Sequence, residues 1–314
     1  MALRSISLTS FTAVGEGLAQ PSCVAVARDG RVFVAHDRSR LSIIRPDGIA
    51  KAFADLHAEI TAMAFDARGA LLIGLSNAQG VGALCRHDLA GGVPKVVFSK
   101  VEDRAFRAIH GLFLGEKGTL YGVLSSRLTW QQAFEAMPKP SGALFEMKQG
   151  MPPEVLARGL QFPKGLVVNP GDHDLFVMQA LCGDILRFEF RDFGGGVQAA
   201  QPFGAPLGNI PEVCPDAQTD PKQRRRLGLL GGCAIDAERN IWVCLPWANK
   251  IVAVTPTSAL MVVADDPYGQ MLKGPANIAF GGPDLTNVYI ACSDGTHVAT
   301  AKSPVPGLAL IHQR

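Results

Sequence analysis

One hairpin pattern recurs six times along the chain and constrains the fold more than any other feature. Each copy has a short apolar strand, a tight polar turn and a second apolar strand. Turn glycines such as Gly30, Gly69 and Gly118 favour chain reversal, because glycine reaches positive φ without a steric cost. The copies are PSCVAVARDGRVFVA (21–35), ITAMAFDARGALLIG (60–74), IHGLFLGEKGTLYGV (109–123), PKGLVVNPGDHDLFVM (163–178), LGGCAIDAERNIWVC (230–244) and PANIAFGGPDLTNVYIA (275–291).

Weaker third and fourth strands follow each hairpin, and helical periodicity is nearly absent outside TWQQAFEAM (129–137). Repeated units of four strands are typical of a β-propeller, whose ring leaves few open strand edges. The sequence therefore predicts an all-β fold, a single six-bladed β-propeller domain with four-stranded blades over residues 1–314. Apolar residues near both ends, in SISLTSF and LALIHQR, predict that the termini join in one blade and close the ring.

The charge balance and the cysteine pattern narrow the classes of partner and compartment. The chain has 30 basic and 28 acidic side chains, so its formal net charge is only +2. This balance argues against nucleic acid or a membrane as a partner, and no apolar run is long enough to span a bilayer. The segment KQRRR (222–226) is interpreted as a solvated loop or, alternatively, as a contact with a ligand or partner. Irregularly spaced cysteines and an N-terminus without a signal-peptide core predict a cytoplasmic protein.

Propeller topology places functional positions at one rim of the central opening. The inner strands start at this rim, and the loops after the second strands return to it. Two long segments, 125–140 and 203–227, fall at the same rim, where long loops commonly serve as lids or specificity loops. Polar residues that converge at the mouth of an apolar cup are typical of a small-molecule site.

Lys164 and His110 are the predicted catalytic residues. Lys164 precedes an apolar strand in FPKGLVVN (162–169), and His110 does so in RAIHGLF (107–113). In one interpretation, the amine of Lys164 extends to water. In the other, it faces an anionic or carbonyl group of a ligand, either as a fixed cation or as an amine of lowered pKa. His110 is either a structural side chain or a proton carrier, since the usual pKa of histidine suits proton transfer near neutral pH.

The same rim supplies a predicted set of substrate-binding residues. His36 with Asp37 is an alternative acid/base pair, although neighbours on an extended chain point apart. Cys182 is read as an apolar filler or, alternatively, a nucleophile. The two tryptophans of the set would pack or stack against a substrate. The full set is Gln20, His36, Thr61, Ser125, Arg127, Trp130, Gln179, Cys182, Trp247 and Asn277.

Three blades carry motifs that resemble the regucalcin/gluconolactonase (senescence marker protein) family. GPANIAFGGPDLTNVYIACSDG (274–295), with VPGLAL (305–310) after it, is similar to that family's sixth blade. QFPKGLVVNP (161–170) resembles its fourth blade, in a form shared with relatives of strictosidine synthase, and LGGCAIDAERNIWVCL (230–245) resembles its fifth. The resemblance covers most of the chain and is weaker in the first three blades. It implies a six-bladed propeller with a small-molecule site at the centre.

The resemblance also implies a central divalent cation, usually calcium, but the ligand positions have changed. The first-blade EGP motif of the family is AQP (19–21) here, and the third-blade motif is Ile109-His110-Gly111. Lys164 stands in place of the fourth-blade asparagine, and Gly231 in place of the fifth-blade aspartate. Calcium needs six to eight oxygen ligands, which these residues do not offer. The sequence therefore predicts no metal and no cofactor, with the ammonium of Lys164 in place of the ion.

These observations favour a metal-independent enzyme that acts on a small molecule with an anionic or carbonyl group. A lyase, isomerase or cyclase reaction by acid/base and electrostatic catalysis is the first interpretation, because lactone hydrolysis would lack its metal-activated water. A lactone or ester hydrolase with His110 as base is the second. A non-catalytic ligand-binding propeller is the third. No zinc-hydrolase, serine-hydrolase or phosphate-loop motif is present.

Overall fold

Strands make up the architecture of the chain, which is known from a computed structural model. The structure describes residues 3–125, 140–171, 173–180, 182–191, 196–208 and 229–314. Among these residues the helical segments are short 3-10 turns at Leu8–Ser10, Pro246–Ala248 and Ile311–Gln313. No helix in the described ranges is both long enough and apolar enough to cross a membrane.

The first three blades are antiparallel sheets of four strands in sequence order, and β1 (Thr12–Val14) precedes them. Blade 1 contains β2 (Cys23–Val26), β3 (Val32–His36), β4 (Arg40–Ile44) and β5 (Ala50–Asp55). Blade 2 contains β6 (Glu59–Phe65), β7 (Leu71–Ser76), β8 (Gly82–His87) and β9 (Lys95–Phe98). A small hairpin follows, formed by β10 (Lys100–Val101) and β11 (Arg104–Ala105). Blade 3 contains β12 (Ile109–Leu114), β13 (Leu120–Leu124), β14 (Gly142–Met147) and β15 (Glu154–Leu160).

The last three blades repeat the arrangement and complete the six predicted blades. Blade 4 contains β16 (Pro163–Val168), β17 (Asp174–Gln179), β18 (Asp184–Glu189) and β19 (Gln201–Pro202). Blade 5 contains β20 (Cys233–Ile235), β21 (Ile241–Leu245), β22 (Lys250–Val254) and β23 (Leu260–Asp265). Blade 6 contains β24 (Pro275–Gly281), β25 (Asn287–Cys292) and β26 (Val298–Lys302), with β1 as its outer strand. The predicted all-β six-bladed propeller with four-stranded blades is therefore confirmed.

Ring closure occurs within blade 6, but not with the predicted residues. β1 pairs antiparallel with β26, from Thr12 opposite Thr300 to Val14 opposite Val298. The N-terminal strand thus begins one residue after the predicted segment SISLTSF. The prediction for LALIHQR was wrong, because residues 308–314 form no strand in the blade. Their apolar side chains line the central cavity instead.

Apolar side chains pack between neighbouring blades and give the ring its core. Phe33 of blade 1 meets Phe65 of blade 2 edge to face, with ring centroids 5.7 Å apart. Trp242 of blade 5 and Phe280 of blade 6 make a similar contact at 5.2 Å. The strands are buried on both faces because each blade lies between two others, which explains their nearly continuous apolar runs.

Candidate functional site

A repeated irregularity of the inner strands builds the rim of the central cavity. Each of four inner strands contains one extra residue that has no partner in the neighbouring strand: Thr61, His110, Lys164 and Ala276. A residue at such a bulge leaves the regular alternation of the strand, so its side chain takes a direction that the flat sheet would not allow. The predicted catalytic residues His110 and Lys164 both occupy this position.

Glycines bring the inner strands of blades 3 and 4 close together just below these bulges. A methyl group on Gly111 would lie 3.1 Å from the Cα atom of Gly165. A methyl group on Gly165 would lie 2.8 Å from the Sγ atom of Cys233 in blade 5. Larger residues would push the blades apart, so the glycine after each bulge permits the side chains of His110 and Lys164 to meet.

Lys164 and His110 face each other across the gap between two blades. The Nζ atom of Lys164 lies 3.5 Å from the Nδ1 atom of His110, at the long end of a hydrogen bond. The ring of Phe162 stacks on the imidazole, with centroids 5.7 Å apart and planes 29° apart. The Nζ atom also lies 5.3 Å from the centre of the Phe162 ring. One aromatic ring therefore contacts both members of the pair.

The backbone of Phe162 is held in a conformation that its side chain disfavours. Its φ is +50°, in the left-handed region, although it is an aromatic residue and precedes Pro163. Such a conformation costs about 1–3 kcal/mol and persists only where the surroundings enforce it. Phe162 is buried, and its carbonyl accepts a hydrogen bond from the backbone N–H of Ala180. The strain places the ring against the Lys164–His110 pair.

His110 is held in its neutral form by its surroundings. Burial lowers its pKa well below the usual value, and the positive charges of Lys164 and Arg107 lower it further, against a hydrogen bond to the backbone of Thr61. When Lys164 is protonated, its ammonium donates towards Nδ1, which must then carry no proton. A neutral imidazole at neutral pH is a proton acceptor, so His110 can act as a general base.

Lys164 carries a charge that its surroundings disfavour. Burial lowers its pKa to about 8, whereas Cys23 and Glu59 act in the opposite direction. The side chain keeps some exposed surface, which faces the cavity rather than an apolar core. Cys23 is a neutral thiol near pH 7, because burial raises its pKa to about 11. At neutral pH most Lys164 side chains are therefore ammonium ions, with a minor population of free amine.

The pair opens into a cavity along the propeller axis. This axial channel has a volume of about 120 Å³ and includes Lys164, His110 and Asn277 among its lining residues. Most of the remaining lining comes from aliphatic and aromatic side chains of the inner strands. Low local polarity strengthens the interaction of Lys164 with any negative charge that develops beside it.

Asn277 is the one predicted substrate-binding residue that lines this channel among those the structure describes. Its Oδ1 atom accepts a hydrogen bond from the backbone N–H of Val24, 3.0 Å away, and so links blade 6 to blade 1. A methyl group on Gly232 would lie 2.5 Å from its Nδ2 atom. The amide nitrogen is therefore directed along the rim towards blade 5.

Other predicted substrate-binding residues form hydrogen bonds within the rim. Gln179 is buried; its Oε1 accepts from the N–H of Gln161 at 2.7 Å, and its Nε2 donates to Asp184 at 2.9 Å. His36 contacts the hydroxyl of Ser42 through Nε2 at 2.9 Å.

Thr61 donates its hydroxyl to the carbonyl of Gly74 at 3.2 Å. The buried Ser125 donates its backbone N–H to the carbonyl of Ala108 at 3.0 Å. Their substrate contacts stay predictions.

The remaining residues of the set lie away from the channel or outside the described ranges. Gln20 is exposed, and Trp247 is half-buried in the turn Pro246–Ala248. Cys182 is half-buried, and burial beside Asp184 raises its pKa to about 11, so its thiol is a poor nucleophile near pH 7.

Several predicted features lie outside the residues that the structure describes: Arg127, Trp130, the predicted helix 129–137 and the basic run 222–226. The predicted acid/base pair is divided, because Asp37 instead pairs with Arg40 at 3.2 Å.

The donor atoms at the rim do not fit the divalent cation that the family resemblance implies. A lysine amine occupies the hub, and the Oδ1 atom of Asn277 is already hydrogen-bonded. Within the described ranges, no three His, Cys, Asp or Glu side chains come together in a way that would hold a metal ion. A hard cation prefers several carboxylate and carbonyl oxygens, and an ammonium group would repel it.

Two residues that influence the pair were not predicted from the sequence. Phe162 was visible in FPKGLVVN, but the left-handed backbone that turns its ring towards His110 has no sequence signal. Arg107 lies three residues before His110 and lowers its pKa by charge. The sequence shows a cation shortly before the strand, but only the structure shows that this charge acts on the imidazole of His110.

Comparison with known proteins places the chain in one family. The sequence model of the SMP-30/Gluconolactonase/LRE-like region matches residues 22–294, which is most of the chain. No curated protein matches the sequence.

Solved structures with the same architecture share little sequence with the chain. A calcium-binding regucalcin from Agrobacterium tumefaciens superposes with a TM-score of 0.72 at 14% identity, over 98% of each chain. A gluconolactonase from Xanthomonas campestris gives 0.71 at 15% identity, over 94% of this chain and 89% of that one. A luciferin-regenerating enzyme gives 0.68 at 14% identity, over 96% of this chain and 99% of that one. At these identities the likeness shows the fold.

Proposed function

The chain belongs to the SMP-30/gluconolactonase/LRE-like family, and on this basis we propose that it is an enzyme that converts a small carbonyl compound in the axial channel. The single observation that carries the proposal is the contact between Lys164 and His110 at the mouth of an otherwise apolar cavity. A proton acceptor and a cation side by side can remove a proton and stabilise the negative charge that forms.

Each member of the pair has a separate task in the proposed chemistry. Neutral His110 accepts a proton at Nδ1, from a water molecule or from a carbon next to the carbonyl, as the ammonium of Lys164 turns from this nitrogen to the substrate oxygen. The ammonium of Lys164 stabilises the resulting oxyanion or enolate, and the apolar wall strengthens this attraction by excluding water. The contact with Phe162 keeps the imidazole oriented while its charge changes. No step requires a metal ion.

Lactone hydrolysis is the reaction that the family favours. His110 would activate water, the water oxygen would attack the lactone carbonyl, and Lys164 would stabilise the tetrahedral oxyanion until the ring carbon–oxygen bond breaks. The departing alkoxide then takes up the proton that His110 carries. The family name and the similar gluconolactonase support this choice of substrate class.

A lyase, isomerase or cyclase reaction is the second candidate, and the composition of the channel favours it. Apart from the Lys164–His110 pair and Asn277 at the rim, the described lining is almost entirely apolar and includes no carboxylate to help orient water. Removal of a proton next to a carbonyl needs the same base and cation but no attacking water. The two candidates therefore differ in the source of the transferred proton.

A substrate panel with paired variants tests the proposal. Lactones of several ring sizes would be followed by acid release, and β-substituted carbonyl compounds by loss of the leaving group. Lys164→Met should lower kcat/KM about 10²–10³-fold, because one oxyanion-stabilising group is lost. His110→Ala should lower it about 10²-fold or more. The matched controls are Lys51→Met and His57→Ala, both at exposed positions of blade 1 or its following turn.

Three results would contradict parts of the proposal. Turnover that survives both Lys164→Met and His110→Ala would refute the assigned roles. Stoichiometric calcium that is needed for activity would refute metal independence. Absence of turnover across the panel, together with tight binding of a ligand that depends on Lys164, would favour the ligand-binding interpretation. A cytoplasmic location is also part of the proposal, supported by the six described cysteines, which are free thiols.

A further inference from the structure

We propose that the substrate carries an extended apolar group that lies in the axial channel while its carbonyl group meets Lys164 and His110. The substrate class is thus an alkyl- or aryl-substituted carbonyl compound rather than a sugar lactone. This inference rests on the proposed function for the position of the carbonyl group. The shape and chemistry of the channel below the pair carry the rest.

The wall of the channel is apolar over most of its length. Several inner-strand side chains that would be fully buried in a closed core keep partial exposure, and this exposure faces the cavity. They come from blades 2, 3, 5 and 6, so the apolar surface lies on several sides of the axis. Among these half-buried side chains are Met63, Ala64, Phe113, Ala234 and Ala279, and Ile311 of the C-terminal tail adds to them.

The C-terminal tail, residues 308–314, crosses the end of the channel opposite to Lys164. The backbone N–H of Leu308 donates to the carbonyl of Ile235 at 3.0 Å. The Nε2 atom of His312 lies 3.0 Å from the carbonyl of Val26, and Gln313 donates to the carbonyl of Phe280 at 3.4 Å. These carbonyls lie at or near the ends of three inner strands, so the tail bridges blades 1, 5 and 6.

Several polar side-chain atoms at this end are hydrogen-bonded to the backbone of the protein itself. His312 is buried against the ring of Phe65, with centroids 4.9 Å apart, and burial lowers its pKa. The polar contact of this imidazole is made through Nε2, which faces the carbonyl of Val26 and not the channel. The channel is therefore polar at the Lys164 end and apolar from there to the tail.

The volume suits a short chain or a small ring. The channel measures about 120 Å³. Apolar cavities on the order of 150 Å³ in other proteins accept a benzene molecule. A sugar ring in this space would lose hydrogen bonds from several hydroxyl groups against aliphatic walls, which is costly, whereas an alkyl chain gains free energy with each buried methylene.

A homologous series of ligands tests the inference without any knowledge of the natural substrate. Straight-chain alkanoates and 1-alkanols from four to ten carbons would be titrated calorimetrically below their aggregation concentrations. We expect the affinity of both series to rise about fourfold per methylene until the channel is full, and then to level off. At equal length the alkanoate should bind more tightly than the alkanol, because its carboxylate meets Lys164.

A channel-filling variant with a matched control locates the effect. Ala64 lines the channel, is half-buried and lies one residue before the end of β6, so Ala64→Leu should shorten the channel and make the affinity level off at least two carbons earlier. Ala52→Leu makes the same change at an exposed position of β5 and should leave the series unaltered. If Ala64→Leu fails to fold, the two series on the unmodified protein still decide the question.

The outcomes separate this inference from the proposed function. Affinity that does not depend on chain length, or a dependence that Ala64→Leu leaves unchanged, would overturn the apolar-chain site. Measurement of lactone turnover would still test the enzyme proposal independently. If alkanol affinity rises with chain length but alkanoates bind no more tightly than alkanols of equal length, the apolar-chain site is supported. The assigned role of Lys164 then fails. Preference for glucono-lactone over alkyl-substituted lactones would also overturn the inference.

Discussion

Lys164 and Asp236 lie at opposite ends of the inner strands, and their surroundings compensate for burial to different extents. Asp236 follows β20 on the side of the tight turns and is fully buried. Its carboxylate accepts hydrogen bonds from the N–H groups of Glu238 and Asn240, the side-chain amide of Asn240 and the indole of Trp242, all within 3.0 Å. Lys164 begins its strand at the rim, and burial lowers its pKa to about 8.

The difference indicates how to recognise reactive groups in this propeller. Four donors surround the carboxylate of Asp236, so burial of its charge is offset and the residue holds its turn in place. At Lys164 the effect of desolvation on the pKa exceeds the opposite effects of Cys23 and Glu59, so the cost of burying its charge is offset only in part. A charge whose burial is incompletely offset can interact strongly with a substrate.

The largest effect on stability is expected at Asp236. Asp236→Ala removes the acceptor for several buried donors, including the indole N–H of Trp242, and each orphaned donor costs about 1–3 kcal/mol. We expect the free energy of unfolding to fall by roughly 3–5 kcal/mol, measured by denaturant titration. Asp29→Ala, at an exposed turn position, is the control and should cost less than about 1 kcal/mol. Equal effects at the two positions would remove the distinction.

The opposite sign is expected at Lys164. Its pKa is lower in the folded protein than its ordinary value of 10.5, so the folded state binds fewer protons between about pH 8 and 10.5 and stability rises with pH there. Below pH 8 the full cost of charging the buried amine is present. Lys164→Met should therefore raise the free energy of unfolding at pH 7 by up to about 3 kcal/mol, and this gain should disappear near pH 10.5.

Denaturant titrations at pH 7 and at pH 10.5 would measure this change. Lys51→Met, at an exposed strand position, should alter stability little at either pH. A loss of stability in Lys164→Met at pH 7 would contradict the idea that the charge is retained for function at a cost to the fold.

The third prediction concerns the mutual influence of the pair. Lys164 lowers the pKa of His110, so Lys164→Met should move the pKa of His110 back towards the usual value of histidine, while burial still holds it lower. Lys164→Arg keeps the charge and should leave the pKa of His110 low. NMR titration of the imidazole Cε1–H signal would measure both shifts. If His110 titrates identically in the Lys164→Met variant, the Lys164→Arg variant and the unmodified protein, the two groups are not coupled.

The same pair should shape the pH dependence of activity. The rate should decline above about pH 8, as Lys164 loses its proton. In Lys164→Arg this alkaline decline should move upward by at least about 2 pH units, because a guanidinium stays charged. A pH–rate profile of kcat/KM with a substrate from the panel would measure the shift, and an unchanged alkaline limb would contradict the role of the ammonium.

The smallest effect tests whether a rim residue can behave like Asp236. Gln179 lies at the rim, yet both ends of its amide are hydrogen-bonded within blade 4 and its preceding loop. Gln179→Met should lower the free energy of unfolding by about 1–2 kcal/mol and leave KM within twofold, because the amide is occupied by the protein. Gln79→Met at an exposed turn position is the control. A large rise in KM would instead support the substrate contact predicted from the sequence.

Local patterns in the sequence were sufficient to predict the six blades. Strand, turn and strand lie within about fifteen residues in each copy, so the turn glycines and the apolar runs specify each hairpin without information from distant parts of the chain. The closure of the ring was harder to predict, because Thr12–Val14 gains its strand partner only from Val298–Lys302 at the other end of the chain. The prediction that the C-terminal tail joins a blade failed for a related reason. Its apolar side chains line the channel, and the local sequence does not distinguish this role from that of a strand.

The catalytic pair was predicted by position, whereas its contact was not. The motif resemblance put Lys164 and His110 at the hub, but their 3.5 Å separation depends on two bulges and on close packing between Gly111 and Gly165. Gln179, by contrast, was equally polar and equally near the rim, yet it is bound within its own blade. Composition and spacing do not distinguish these cases, because each depends on which partners the neighbouring strand supplies.

The repeated bulges have a consequence for how such a protein can change over evolutionary time. Thr61, His110, Lys164 and Ala276 occupy equivalent sites outside the ladder of paired residues. Of these four, His110 and Lys164 line the channel, so a mutation at either would exchange the chemical group at its mouth without a change in the strand register. We therefore expect single substitutions at these two positions to change the chemistry of the hub while the blades keep their fold.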